Sequence, residues 1–342
     1  MKVLRPLLFA ATLSLQGCYV LQQGAGQMQL LSRREPVAKV APKLAPELQA
    51  KLALIPRVKQ YAEETIGLRH TTNYEQYVAL DRDAVTYVVS AAPPDKLEAY
   101  TWWFPIIGAV PYKGFFDRAD AVKEQDAMKA QGYDTILRGV PAFSTLGWLP
   151  DPIYSPFLGY DVPTLVNVVI HETTHATLFL AGQASFNEGF ATFVGNEGAL
   201  GFLQQAYGAG SPEVAAARAE IADNGIFTEF IQAVSRRLDT LYNGPATREQ
   251  KLIDRERVFA EARDQFARDF VPRLRGHQFR HFPQSAFNNA SLISYRTYYN
   301  RLDRFEKAFE KQGRDLKATV IFFKDQVAKA SDPEKFLDDY VK

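Results

Sequence analysis

Residues 166–195 read VNVVIHETTHATLFLAGQASFNEGFATFVG. Within them His171-Glu172-Thr173-Thr174-His175 forms the pattern H-E-x-x-H inside an otherwise apolar run of helical spacing. Residues i and i+4 project from one face of an α-helix, so His171 and His175 can reach one ion. Glu172 lies about 100° round the helix from His171, where it can act on a water at the ion without being a ligand. A catalytic zinc takes three protein ligands and keeps a fourth position for water, so a third donor is needed. Twelve residues separate His175 from Glu188, in Phe186-Asn187-Glu188-Gly189-Phe190. Gly182 and small polar residues between them allow a turn, after which a second helix brings Glu188 back beside the histidines.

The bland alternative is a pair of buried histidines that are merely hydrogen-bonded. Burying two imidazoles and a carboxylate in VVIHETTHATLF is costly unless something compensates them, and a divalent cation does so. The expectation is one Zn²⁺ held by His171, His175 and Glu188, with Glu172 as the base.

HETTH followed by NEGFA resembles the gluzincin metallopeptidases, the clan of thermolysin and the aminopeptidase N-like enzymes, in which the second glutamate is the third zinc ligand. The spacer is shorter here. The chain is also similar to a family of bacterial lipoproteins described as aminopeptidases. That similarity is carried by Leu137-Arg138-Gly139-Val140-Pro141-Ala142-Phe143-Ser144-Thr145-Leu146-Gly147-Trp148, by HETTHATLF and FNEGFATFVG, by GQMQLLSRREP (Gly26 to Pro36) and by Asn288-Asn289-Ala290. It spans most of the mature chain, and only the zinc motifs are chemically specific.

The resemblance implies a small sheet before the zinc helix, with its edge strand lining the cleft. It also implies a tyrosine from a later helix that donates a hydrogen bond to the oxyanion. Tyr298 ranks first and Tyr295 second; Tyr295 and Tyr299 share a helical face from which Tyr298 is displaced. For each tyrosine singly, the competing reading is a core or surface role. One departure stands out. Relatives place an acidic residue two turns after the glutamate ligand to support a metal-bound histidine, and Gly195 occupies that position here. Glu197 is shifted by two, which leaves Asn187 or Thr192 as substitutes for orienting a ligand.

The reaction expected is zinc-dependent peptide hydrolysis of a peptide or protein substrate. The G-x-M-x-N exopeptidase motif is absent, so aminopeptidase activity rests on the resemblance. A zinc endopeptidase acting on envelope proteins is the alternative. A non-catalytic zinc-containing lipoprotein that binds a partner is a third reading, and the intact Glu172 argues against it.

Lys2 and Arg5 precede the apolar Leu7–Leu13 run, which is too short to span a bilayer at about 20 residues. Leu15-Gln16-Gly17-Cys18 then resembles a bacterial lipobox, and Cys18 is the only cysteine. The expectation is a signal peptide over 1–17, lipidation of Cys18, and export to the cell envelope. Tyr19, in place of an aspartate, favours the outer membrane, facing the periplasm. A formal net charge of +1 gives no electrostatic case for nucleic acid. Oligomeric state is not legible.

The fold expected is α+β and mainly helical: a small gluzincin-like sheet preceding a zinc-binding helix pair, then a C-terminal helical bundle. An anchored segment (18–41) leads into one unit (42–342), with the sheet and zinc helices over about 77–195 and a helical part over about 196–342. Leucine spacing predicts helices from about Ala45 to Gly67. Ala84–Ala91, Leu97–Val110 and Tyr133–Leu137 read as strands, Asp117–Gln131 as a helix, and Arg138–Pro163 as a long proline-rich loop forming either a cleft wall or a strap over the core. Pro212–Leu241 and Thr247–Leu274 read as two antiparallel helices, with further helices at Asn288–Gly313, Leu316–Ala330 and Pro333–Val341. His277 and His281 repeat the i,i+4 spacing, but Arg273, Arg275 and Arg280 surround them and oppose a cation.

Overall fold

The computed structural model describes residue 19 and residues 23–104, 108–141, 150–299 and 301–342. The expected signal peptide, Cys18 and the middle of the proline-rich loop, 142–149, lie outside these residues. At 64% helix, the fold is α+β and mainly helical.

Helix α1 (residues 23–32) packs Leu30 beside Val78, Val85 and Tyr154. Strand β1 (Glu35–Pro36) leads into the short α2 (Val37–Val40) and then α3 (Pro46–Tyr61). Pro46 suits the first turn of α3 because the N–H it lacks has no helical partner there. Leu52, Leu54, Ile55 and Val58 form its buried side, and Gly67 at φ 80° stops the turn that follows.

The expected sheet is divided into three. Strand β2 (Gln76–Val78) pairs with β1; β3 (Thr86–Ala92) lies elsewhere; β4 (Trp102–Phe104) and β5 (Gly108–Val110) form an antiparallel pair. Strands β6 (Lys113–Phe115) and β7 (Asp134–Val140) flank β3 on either side, all antiparallel, with Val88 opposite Arg138. Helix α4 (Arg118–Ala130), capped by Asp117, covers this sheet. Three readings are corrected here. The Leu97–Val110 strand is the β4–β5 pair preceded by irregular chain. The strand at Tyr133 runs on through Val140. The loop to Pro163 contains β8 (Ile153–Tyr154), parallel to β2, and a 3₁₀ turn at Ser155–Gly159. A two-residue strand has no period to read, and β8 is held by burial of both its side chains.

The remaining helices are α5 (Val162–Thr177), α6 (Ala184–Tyr207), α7 (Pro212–Asn243), α8 (Arg248–Gln265), α9 (Asn289–Tyr299), α10 (Leu302–Lys311), α11 (Leu316–Phe322) and α12 (Pro333–Tyr340). Arg301, at φ 59°, separates α9 from α10, where one helix over Asn288–Gly313 was expected. The C-terminal helical region contributes to two cores. Phe305, Phe309 and Phe323 join Phe186, Phe190 and Phe193 in a core shared by α3, α5, α6, α10 and α11. Helices α7, α8 and α9 surround a second core of Phe227, Phe230, Phe259, Phe266 and Phe282. The division follows the aromatic faces, whose partners are distant in sequence.

A buried polar knot joins the sheet to the second core. Arg255 donates to both carboxylate oxygens of Asp134, at 2.6 and 2.9 Å, and to Pro94 O. The N–H of Asn289 donates to Asp134, its side-chain amide donates to Pro93 O and Lys96 O, and its Oδ1 accepts from the Tyr242 hydroxyl. The NNA run thus fixes the start of α9 against β7. Replacing Asp134 by Ala leaves Arg255, which is 8% exposed, with only the exposed Glu256 carboxylate and Pro94 O as partners, and should cost about 1–3 kcal/mol. Guanidinium unfolding of D134A checks this; an unchanged midpoint would show the knot to be dispensable.

Candidate metal centre

Asp161 caps α5 by accepting from the Thr164 N–H at 2.9 Å, and Pro163 occupies the first turn. Leu165, Val166, Val169, Ile170 and Thr173 are buried. Thr173, Thr174 and Thr177 donate their hydroxyls to carbonyls four residues back, which satisfies polar groups inside an apolar helix. The helix ends at Leu178, and Gly182 at φ 76° makes the turn into α6. Asn187 pins that turn: its Oδ1 accepts from Leu180 N–H at 2.8 Å and its Nδ2 donates to Leu180 O at 2.7 Å.

Small residues on α6 set its distance from its neighbours. A Cβ on Gly195 would lie 3.0 Å from Asn167 Oδ1 and 3.3 Å from Asn167 O on α5. One on Gly198 would lie 2.7 Å from Ile66 and 3.1 Å from Ile170, and one on Gly189 would lie 2.9 Å from Phe305. Gly195 is therefore a close-approach position, with no room for the acidic side chain expected of relatives.

The approach brings three donor atoms together. His175 Nε2 is 3.1 Å from His171 Nε2, and Glu188 Oε2 is 3.4 Å from His171 Nε2 and 3.5 Å from His175 Nε2. A tetrahedral ion with bonds of about 2.1 Å separates its ligands by about 3.4 Å, so this triangle fits a zinc-sized cation. Protons fit it less well, because one N–H cannot point at two acceptors in a triangle of nearly equal sides. Among the described residues, this is the group of three or more His, Cys, Asp or Glu side chains placed to hold an ion. All three are largely buried, His175 most of all, at 6% side-chain exposure.

Burial works against a charge on His175, but the hydrogen bond to Glu188 and the charges of Glu188 and Glu172 outweigh it and raise the imidazole's pKa. Burial likewise pushes Glu188 up, and its bonds and charge interactions with His171 and His175 hold it far below the usual carboxylate range. His175 Nδ1 is buried and has no hydrogen-bond partner among the described residues. Asn187 is committed to Leu180, and Glu197 faces Glu306 and Arg314, so neither supports an imidazole.

Tyrosines surround the triangle. Burial and then the charge of Glu172 raise the hydroxyls of Tyr74 and Tyr160. Tyr112 presents 46% of its surface to solvent, yet desolvation and the charges of Glu188 and Glu172 push it up, against Arg138. Tyr298 is raised by burial and by Glu188, with Arg138 opposing. Tyr295 and Tyr299 face the other way from α9, with ring centroids 5.0 and 5.5 Å from Phe227. Sequence reasoning missed Tyr74, Tyr112, Tyr160 and Arg138. Arg138 stands in the LRGVPAF run that carries the family resemblance, whereas nothing in the sequence marks the three tyrosines. His277 and His281 belong to a turn held by Arg280, which donates to Gly276 O and Leu274 O.

Calorimetric titration of the metal-stripped chain with zinc should find one site. H175A and E188A should each weaken it by more than the roughly 10–100-fold cost of losing an outer partner. Undiminished affinity in both variants would overturn the ligand assignment.

A family profile described as "Putative aminopeptidase" matches residues 18–335. No curated protein and no solved structure matches the chain. With nearly the whole chain inside that profile, and the donor triangle within the matched region, the protein belongs to the putative aminopeptidase family.

Proposed function

We propose that the protein is a zinc-dependent peptidase, an aminopeptidase by its family, held at the cell envelope by lipid on Cys18. The observation that carries this reading is the His171, His175 and Glu188 triangle with Glu172 beside it on α5. Support for the anchored location comes from the lipobox-like LQGC that ends at Cys18. The outer membrane, facing the periplasm, is the location that Tyr19 favours.

Zinc bound by these three residues would acidify a water and polarise the scissile carbonyl. Glu172 follows His171 directly and does not belong to the triangle, so its carboxylate is available as a base. It takes a proton from the attacking water and returns it to the leaving amine, so that one C–N bond breaks as one C–O bond forms. Tyr298, on the side of Glu188 next to Arg138, is the hydroxyl placed to donate to the oxyanion. Tyr295, packed on Phe227 and Phe282, instead secures α9 against the second core.

E172Q should retain zinc and lose roughly 100- to 10,000-fold in turnover. Y298F should lose about 100- to 1,000-fold in kcat, as expected for one oxyanion donor. Peptide hydrolysis by E172Q at the parent's rate would remove Glu172 from the mechanism. Comparing a free-amine peptide with its N-acetylated form separates the two peptidase readings, since an aminopeptidase rejects the blocked form and an endopeptidase accepts it.

A further inference from the structure

Strand β7 carries Asp134 and Arg138 on one face, because residues four apart in a strand point the same way. Helix α9 runs along that face: Asn289 at its start bonds Asp134, and Tyr298 in its last turn lies under Arg138, whose guanidinium is 5.5 Å from the ring centroid. Nine residues of helix and four of strand both span about 13.5 Å, which brings the two contacts into register. The acid at one end of this face has its arginine, Arg255. The arginine at the other end has no acid.

No ion pair of Arg138 occurs among the described residues, and none of the remaining residues is Asp or Glu. Among the described residues its Nε is buried without a hydrogen-bond partner, and the guanidinium lies over the Tyr298 ring. A guanidinium drawn partly out of water without a counter-ion is costly, and a planar fork of donors matches a carboxylate two bonds at a time. With a divalent ion in the triangle, Glu172 and Glu188 would balance it, and neither would be left to pair Arg138.

We propose that Arg138 receives a carboxylate of the bound peptide, so that the substrates of this site are short peptides carrying a free carboxylate close to the scissile bond. This rests on the hydrolytic reading above and adds the substrate class to it. The carboxylate comes either from the peptide C-terminus or from an acidic side chain.

The test uses the full chain as zinc-loaded E172Q, titrated calorimetrically with Ala-Ala-Ala, its C-terminal amide, and Ala-Ala-Glu amide. The free acid should bind at least about 10-fold more tightly than the amide, the change expected of one charge-assisted contact. Recovery of that affinity by Ala-Ala-Glu amide identifies a side-chain carboxylate as the group; no recovery identifies the C-terminus. Adding R138Q should abolish the preference and R138K should retain part of it, with zinc content unchanged. Equal binding of all three peptides overturns the proposal, and that result does not depend on how R138Q folds. Hydrolysis of acid and amide at equal rates by the parent chain rejects the carboxylate contact and leaves peptidase activity standing. A carboxylate preference in E172Q with no hydrolysis by the parent does the reverse.

Discussion

The close packing of α5 on α6 is the constraint on which the rest of the structure depends. Two imidazoles one turn apart follow from any helix, but a glutamate from a second helix reaches them only if the two backbones approach closely. Gly195 and Gly198 permit that approach by placing no side chain against Asn167 and Ile170. Glycine within a helix costs about 1 kcal/mol relative to alanine, so each weakens α6 locally while bringing Glu188 to 3.4–3.5 Å from the histidines. Asn187 acts in the same direction by fixing the turn that precedes α6.

Around that pair, the cores have different tasks. The first core wraps α3, α10 and α11 round α5 and α6, with Phe305 against Gly189, next in sequence to the ligand Glu188. The second core holds α9 through Tyr295 and Tyr299 and thereby turns Tyr298 towards Arg138. The knot of Asp134, Arg255 and Asn289 sets α9 on β7. A chain of buried contacts thus runs from the sheet to the donor triangle.

The helices were legible where period and caps agree. HETTHATLF has the spacing of a buried helix, Pro163 marks its first turn, and Asp117 and Asp161 cap the helices that follow them. The sheet was less legible. Strands of two and three residues carry no usable alternation, and β8 exists because Tyr77 and Val78 lie opposite Ile153 and Tyr154 across more than seventy residues of chain. The break at Arg301 is likewise invisible in a sequence that continues apolar at helical spacing on both sides.

By itself, the sequence determined the chemistry available: two histidines and a glutamate on one helix, a second glutamate after a turn, and a family resemblance over most of the chain. These are properties of residue type and short spacing, which local geometry translates directly. Only the tertiary structure decided what stands around the donor triangle. Among the described residues it left His175 Nδ1 without a partner, made Gly195 a packing position, set Tyr295 against Phe227 and Tyr298 under Arg138, and gave Arg138 no acid to pair it. The reason is physical: burial and charge interactions depend on which surfaces meet in space, and α9, β7 and α5 are brought together by cores whose members are far apart in the chain.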